Sequence, residues 1–351
     1  MMVLFFVQDY SIYNLFFAEI TGLLNQSVNL KVVLLKREVR FKFYEKAFSV
    51  NSLIYWEDLD LIKRFKLLCE ANILHFEMLR SIVPVLPYVF LFRKKCTLTV
   101  HGWVSTSGGL ISTLLQIPFQ GFNRVWVLNK SDVLVLSSLK NVERLNDMGF
   151  GVKRERFFTV KDFVHDDLGG LFVGRWNELK GFHLLPDFLY NCERRGIYFK
   201  KFFILGNIDK LRESKLVNGA IERLLKFNYV EFIGSTDDLK KYYNQVQFVV
   251  LPSNREGISI AMSEAIVNQK YLITYGCRGV RELLPDRYTV PFEFWGDTSK
   301  LAGLVENFLL NEKFSQDYLN YFCSRKELLN RDSCASEISL IYLKNWKKNE
   351  Q

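Results

Sequence analysis

The chain lacks the marks of several protein classes. Only 7 prolines and 20 glycines in 351 residues leave little room for long linkers. The six cysteines, Cys69, Cys96, Cys192, Cys277, Cys323 and Cys334, are scattered, and no two form a C-x-x-C pair. That pattern reads as reduced thiols, with a cytoplasmic location expected. No apolar run reaches the roughly 20 residues of a membrane span. The first run, Met1 to Val7, turns polar at Gln8 and Asp9, too short for a secretory signal. There is no short-period repeat, no low-complexity tract, no zinc-ligand spacing and no Lys/Arg block longer than a few residues, so nucleic acid is not an expected partner.

What is present is globular: 49% hydrophobic, 15% aromatic and 24% charged residues. The length suits two domains of roughly 150–180 residues each. The net charge of +9 is spread over both halves, which suits anionic partners such as nucleotide sugars or phospholipid surfaces. The stretch Ile82 to Phe92, broken by Pro84 and Pro87, runs into Arg93-Lys94-Lys95. A hydrophobic helix ending in cations suits the inner face of an anionic membrane. It suits better a buried core helix whose cations answer its own dipole.

Short apolar runs alternate with amphipathic stretches. Strands are expected near residues 3–7, 30–35, 73–75, 97–101, 133–136 and 157–160, and helices over 13–24, 59–69 and 139–147. Further strands are expected near residues 170–173, 201–205, 229–233, 248–251 and 272–274. Runs such as Phe-Phe-Ile-Leu and Phe-Val-Val-Leu are continuous rather than alternating, as burial on both faces of a parallel sheet requires. Alternating βα units imply doubly wound sheets. A charged segment at 161–167 is the expected seam, giving an N-terminal domain over 1–165, a second over 166–330, and a C-terminal helix over 331–351 that packs back toward the first.

Open parallel sheets bind ligands at the carboxyl ends of their strands. The loop Gly174-Arg175-Trp176-Asn177-Glu178-Leu179-Lys180-Gly181 lies at such an end and enters a helix at Phe182. Arg175 offers a fork of donors and Lys180 a point charge, a combination suited to a diphosphate or to an ordinary surface loop. It lacks the Gly-Lys-Ser/Thr ending of a P-loop. The loop Pro252-Ser253-Asn254-Arg255-Glu256-Gly257-Ile258 leads into Ser259-Ile260-Ala261-Met262-Ser263-Glu264. With Glu256 at a helix entrance, Glu264 is expected two turns further in, about 12 Å along the axis. One carboxylate could then hold sugar hydroxyls and the other a ribose; a capping box between Ser253 and Glu256 is the structural alternative. Gly206 and Gly234 end two further strands and permit close backbone approach. In the first half, the strand Thr97 to Val100 ends at His101-Gly102, where His101 could bond a sugar hydroxyl or serve the core; His75, His165 and His183 read as structural.

These residues in this order resemble the family-4 retaining glycosyltransferases of the GT-B fold. The resemblance lies mostly in residues 171–284: Phe-Val-Gly-Arg175 closing at Lys180-Gly181, then Ile-Leu-Gly206, Phe-Ile-Gly234, Leu-Pro-Ser253 with Glu256-Gly257 and Glu264-Ala265, and Gly279-Val280-Arg281-Glu282-Leu283. Glu256 and Glu264 match the family's E-x7-E motif. In the first half, Thr-Val-His101-Gly and the segment Asp132 to Ser138 are similar to family elements, with Lys140 as the family's lysine. The resemblance implies two Rossmann-like domains with parallel sheets facing across a cleft and a helical tail. It implies that Arg175 and Lys180 hold the donor diphosphate, that Glu264 binds the ribose, and that Glu256 with the backbone of Gly257 and Ile258 binds the donor sugar. His101 is assigned to the reacting carbon, with no metal and no cofactor beyond the nucleotide-sugar, UDP favoured. The implied activity is transfer of a hexose or N-acetylhexosamine to a glycan or glycolipid acceptor. One departure is the segment Gln8 to Asn14, which has no glycine where the family carries a glycine-rich loop. It motivates the alternative of a non-catalytic partner of another transferase.

Overall fold

The computed structural model describes residues 1–8, 17–36, 53–77, 85, 89, 91–92, 95–101, 122–136, 141–158, 168–208 and 214–348. The segment Asp9 to Asn14, most of Ile82 to Lys94, Lys140 and the expected seam at 161–167 lie outside these residues. The described strands are β1 (Met2–Val7), β2 (Asn29–Leu34), β3 (Leu53–Tyr55), β4 (Ile73–Glu77), β5 (Cys96–Val100), β6 (Arg124–Val127), β7 (Val142–Arg144), β8 (Gly169–Val173), β9 (Lys201–Leu205), β10 (Val230–Gly234), β11 (Phe248–Val250) and β12 (Tyr271–Ile273). The described helices are α1 (Ala18–Asn25), α2 (Leu61–Glu70), α3 (Lys130–Val135), α4 (Leu185–Arg194), α5 (Lys215–Leu224), α6 (Leu239–Tyr243), α7 (Ile260–Val267), α8 (Val280–Leu283), α9 (Thr298–Leu310), α10 (Glu312–Arg325) and α11 (Arg331–Lys348). Several start on side-chain caps: Asp60 accepts from Lys63 N, Ser214 from Val217 N, and Asn311 from Phe314 N.

Two all-parallel sheets result, one with strand order β3-β2-β1-β4-β5-β6-β7 and one with order β10-β9-β8-β11-β12. This is the doubly wound arrangement of the GT-B fold, with helices following the second sheet. In each sheet the order reverses beside the first strand of the unit, between β1 and β4 and between β8 and β11. Those reversals are where loops at the carboxyl ends diverge and open a crevice. The chain divides into two units, Met1–Phe150 with Asp332–Gln351, and Gly151–Arg331. The change of unit at Gly151, earlier than residue 165, has a backbone cause. Val152 N donates to Leu329 O at 2.7 Å, Arg331 N donates to Val152 O at 2.9 Å, and Phe158 N donates to Asn268 Oδ1 at 2.6 Å.

Three expectations for the first half are corrected. The run 133–136 is not a strand but lies in and just after α3. Asn129 caps that helix, accepting from Asp132 N at 2.8 Å and donating to the Asp132 carboxylate. The apolar run is helical because this cap outweighs β propensity, and Leu134 is left exposed. The described part of 139–147 is not helical; it forms β7, whose Val142 to Arg144 pair with Val125 to Val127 of β6. Phe157 and Phe158 are in no strand. The similarity drawn through Asp132 to Ser138 is therefore out of register, because the strand before this helix is β6.

Glycine holds the strand ends of the second sheet together. Gly206, at φ 107°, presses so close to Gly174 that a Cβ would lie 1.9 Å from the Gly174 carbonyl oxygen. Its N–H donates to Gly234 O at 2.8 Å. A side chain here meets both backbone strain and a clash with main-chain atoms. Gly206→Ala is expected to destabilise the protein by about 2–5 kcal/mol, read as a lower urea midpoint with an unchanged slope.

Candidate functional site

The reversal in the second sheet places the loop after β8 beside the loop after β11, since β8 and β11 pair directly, Phe248 against Gly170 and Val249 against Leu171. The loops are joined by their main chains. Asn254 N donates to Leu179 O at 2.9 Å. Gly181, at φ 69°, lies against Pro252, where a Cβ would sit 2.1 Å from the carbonyl oxygen. Trp295 Nε1 donates to the same Pro252 oxygen at 3.3 Å. Lys180, between Leu179 and Gly181, is thereby carried to Glu256. Its Nζ donates to both carboxylate oxygens, at 2.7 and 2.8 Å, and Ser253 Oγ donates to Oε1 at 2.7 Å. The Glu256 side chain is 7% exposed and that of Lys180 is 24% exposed, so the pair is charge-assisted and partly shielded from water.

Glu256 is not at the helix entrance. Helix α7 begins at Ile260 with Ser259 as its first flanking residue, because the chain makes a non-helical turn through Gly257 and Ile258. Ser253 does bond the Glu256 side chain, yet it caps no helix. The turn is enclosed from the other side by Gly279, where a Cβ would lie 1.4 Å from the Gly257 carbonyl oxygen. Sequence reasoning placed Gly279 in a motif without this reason for it. The thiol of Cys277 is pushed up to about 11 by burial and by the Glu256 charge, so it is no nucleophile at neutral pH.

Glu264, one helical turn into α7, is buried. Burial pushes its carboxyl up to about 7, against the lowering influence of Arg156 and Arg331. Neither arginine was singled out from the sequence; each is close in the chain to the bridge that joins Val152 to Asn330. Tyr243, fully buried nearby, has its hydroxyl raised well above its ordinary value by burial and then by Glu264.

The remaining candidates are placed as follows. Arg175 is exposed at the end of β8. Gly206 and Gly234 meet at the ends of β9 and β10, and beside them Asn207 Nδ2 donates to Ser235 Oγ at 2.8 Å. Gly257 and Ile258 are half-buried in the turn after Glu256. His101 belongs to the first unit, where its Nε2 is 2.9 Å from Glu77 Oε2. Among the described residues no group of three or more His, Cys, Asp or Glu is placed to hold a metal ion, and no helix is long and apolar enough to cross a membrane. A cavity of about 450 Å³ lies at the amino-end edge of the second sheet, lined by Leu168, Gln247, Phe248, Tyr271 and Phe308, and none of the candidate residues faces it.

A family described as Glycosyl transferases group 1 matches residues 169–310. Residues 169–310 are thus similar to the group 1 glycosyltransferases. This stretch contains Lys180, Glu256 and Glu264. No curated protein matches the chain. Solved structures share the fold over its whole length. HepE of Anabaena in complex with UDP-glucose has a TM-score of 0.76 at 15% identity, over 98% of this chain and 100% of that one. A sucrose-phosphate synthase from Thermosynechococcus elongatus has a TM-score of 0.73 at 15% identity, over 99% and 100%. A glycosyltransferase from Rickettsia africae has a TM-score of 0.70 at 13% identity, over 100% and 98%.

The raised Glu264 carboxyl gives stability a pH dependence of definite sign. An acid whose folded value lies above its unfolded value of 4.5 stabilises the fold fully below pH 4.5. That contribution is lost as pH rises to about 7, at about 1.4 kcal/mol per unit of pH. Glu264→Gln is expected to flatten the stability profile between pH 4.5 and 7, measured by urea unfolding across that range.

Proposed function

We propose that the protein is a retaining, metal-independent glycosyltransferase that moves a hexose or N-acetylhexosamine from a nucleotide-sugar to a glycan acceptor. The observation that carries this reading is the Lys180–Glu256 pair, held by main-chain contacts where the second sheet's strand order reverses. A cation and a carboxylate at that edge meet the two ends of a sugar diphosphate. The phosphate draws Lys180 and the exposed Arg175, and the sugar hydroxyls hydrogen-bond Glu256 and the backbone of Gly257 and Ile258. Glu264 takes the ribose. Its carboxyl, near neutrality in pKa, accepts from a hydroxyl when ionised and donates to one when protonated. UDP is the favoured nucleotide, supported by the UDP and UDP-glucose complexes of HepE.

In the proposed reaction the bond between the sugar's anomeric carbon and the phosphate oxygen breaks. A new bond forms on the same face to the acceptor hydroxyl, whose proton passes to the departing phosphate. Lys180 and Arg175 stabilise the charge that develops on that phosphate, the role a divalent ion plays elsewhere. His101 is assigned to the sugar near the reacting carbon. The acceptor assigned is a lipid-linked intermediate of surface polysaccharide, consistent with the +9 net charge and an anionic membrane face.

Thermal unfolding against UDP, GDP, ADP and CMP tests the donor site. One nucleotide, expected to be UDP, should stabilise the wild type by about 2.7 kcal/mol at 100 times its dissociation constant. Lys180→Ala should lose most of that shift while keeping its ligand-free midpoint within a few degrees. No response to any nucleotide would sink the assignment.

A further inference from the structure

The carboxyl ends of β9 and β10 form a small shelf beside the Lys180 loop. Two main-chain bonds fix it: Gly206 N donates to Gly234 O at 2.8 Å, and Trp176 N donates to Asn207 O at 2.8 Å. The Trp176 ring is held in turn by Phe182, stacked at 5.3 Å, and by Phe232, edge-on at 5.4 Å. Asn207 and Ser235 are exposed on this frame. Gly234, at φ 78°, has open space over it. Among the described residues, and apart from its chain neighbours, only Asn207 Oδ1 comes within 4 Å of where a Cβ would stand, at 3.6 Å. A flat ring can lie on the Gly234 backbone with its edge toward that oxygen.

The Asn207 amide is held in one orientation. Its Nδ2 donates to Ser235 Oγ at 2.8 Å, which leaves Oδ1 facing the space over Gly234. Ser235 Oγ accepts this bond, so its own hydrogen points elsewhere. Among the described residues Asn207 Oδ1 accepts no bond and the Ser235 hydroxyl donates none. The shelf therefore presents an acceptor beside a donor.

Its position suits the base of a nucleotide. β10 is two strands from β8, about 10 Å at the spacing of a sheet. The segment after β10 also borders Glu264, the residue assigned to the ribose. Arg156, whose Nη1 lies 3.5 Å from Asp237 O, and Tyr243, which ends α6, both interact electrostatically with Glu264. A nucleotide with its diphosphate at Lys180 and its ribose at Glu264 has the Gly234 shelf within reach of its base.

The two pyrimidines differ at the edge this shelf would read. Uracil has an N3–H, which donates to Asn207 Oδ1, and an O4, which accepts from the Ser235 hydroxyl. Cytosine has a lone pair at N3 and an amino group at C4, so a lone pair faces Oδ1 and amino hydrogens face the hydroxyl hydrogen. Guanine shares the uracil edge on a wider ring, so the signature of this pair is uracil against cytosine. We propose that Asn207, oriented by Ser235, is a specificity-determining residue that selects uracil over cytosine in the nucleotide of the donor. The inference rests on the reading of Lys180 and Glu264 as the donor site.

The test is calorimetric titration of the full-length protein with UDP and with CDP. The wild type should bind UDP about tenfold more tightly than CDP, the worth of one hydrogen bond. Asn207→Ala should weaken UDP about tenfold and leave CDP unchanged, so that the preference falls to near one. Ser235→Ala frees the amide to turn its Nδ2 toward the base, and should weaken UDP while strengthening CDP. Both side chains are exposed, and ligand-free thermal midpoints within a few degrees of the wild type report intact folds. A preference that survives either substitution, or an equal weakening of both nucleotides, would overturn the proposal. Equal binding of UDP and CDP by the wild type would also overturn it, with the donor site still standing. If neither nucleotide binds the wild type, the donor-site reading itself fails and the proposal falls with it.

Discussion

The direct pairing of β8 with β11 is the constraint on which the second unit's chemistry depends. Lys180 and Glu256, 76 residues apart, are neighbours because the strands before their loops pair where the winding reverses. The loops that leave them are tied by main-chain atoms: Asn254 to Leu179, Pro252 against Gly181, and Gly257 against Gly279. Such a frame makes few demands on side chains beyond glycine at the contact points. The geometry of the lysine and the glutamate is consequently inherited from the sheet.

The two units treat a buried carboxylate in opposite ways. Glu77 has donors on both oxygens and stays ionised. Glu264 faces Arg156 and Arg331, and burial prevails over them, so it holds its proton up to about neutrality. Hydrogen bonds aimed at the charged form stabilise it where more distant charges in a low-dielectric interior do not. One carboxylate is thus a fixed structural acceptor, and the other changes its protonation near neutral pH.

Much of the second unit was legible in the sequence. Its strands are mostly apolar runs, and β8, β9, β10 and β11 run into glycine or proline at their carboxyl ends; the expected strands near 201–205 and 248–251 match β9 and β11 to within a residue. Lys180, Glu256 and Glu264 stood in a recognisable order, although the turn at Gly257 that keeps Glu256 off the helix was not visible. The first unit read less well. Val133 to Leu136 has the composition of a strand, but it follows a helix start capped by Asn129. The strands β3 and β6 are three and four residues long, too short for a period to show. The polar face around Glu77 could not be read, because His75, Thr97 and Thr99 each look like ordinary strand residues. The group that unites them, Tyr342, lies 265 residues away along the chain.

That distance also sets an order of assembly. The second unit is one continuous stretch, Gly151–Arg331, whereas the first needs Asp332–Gln351 to close over its polar face. Tyr342 and Trp346 are fully buried there. During synthesis at about 5–20 residues per second, the opening 150 residues therefore wait roughly ten seconds or more with the His75–Glu77 face uncovered. By then the unit made second already has its whole sequence. A nascent chain of this design matures from the back, and the first unit is sealed only after its last helix has left the ribosome.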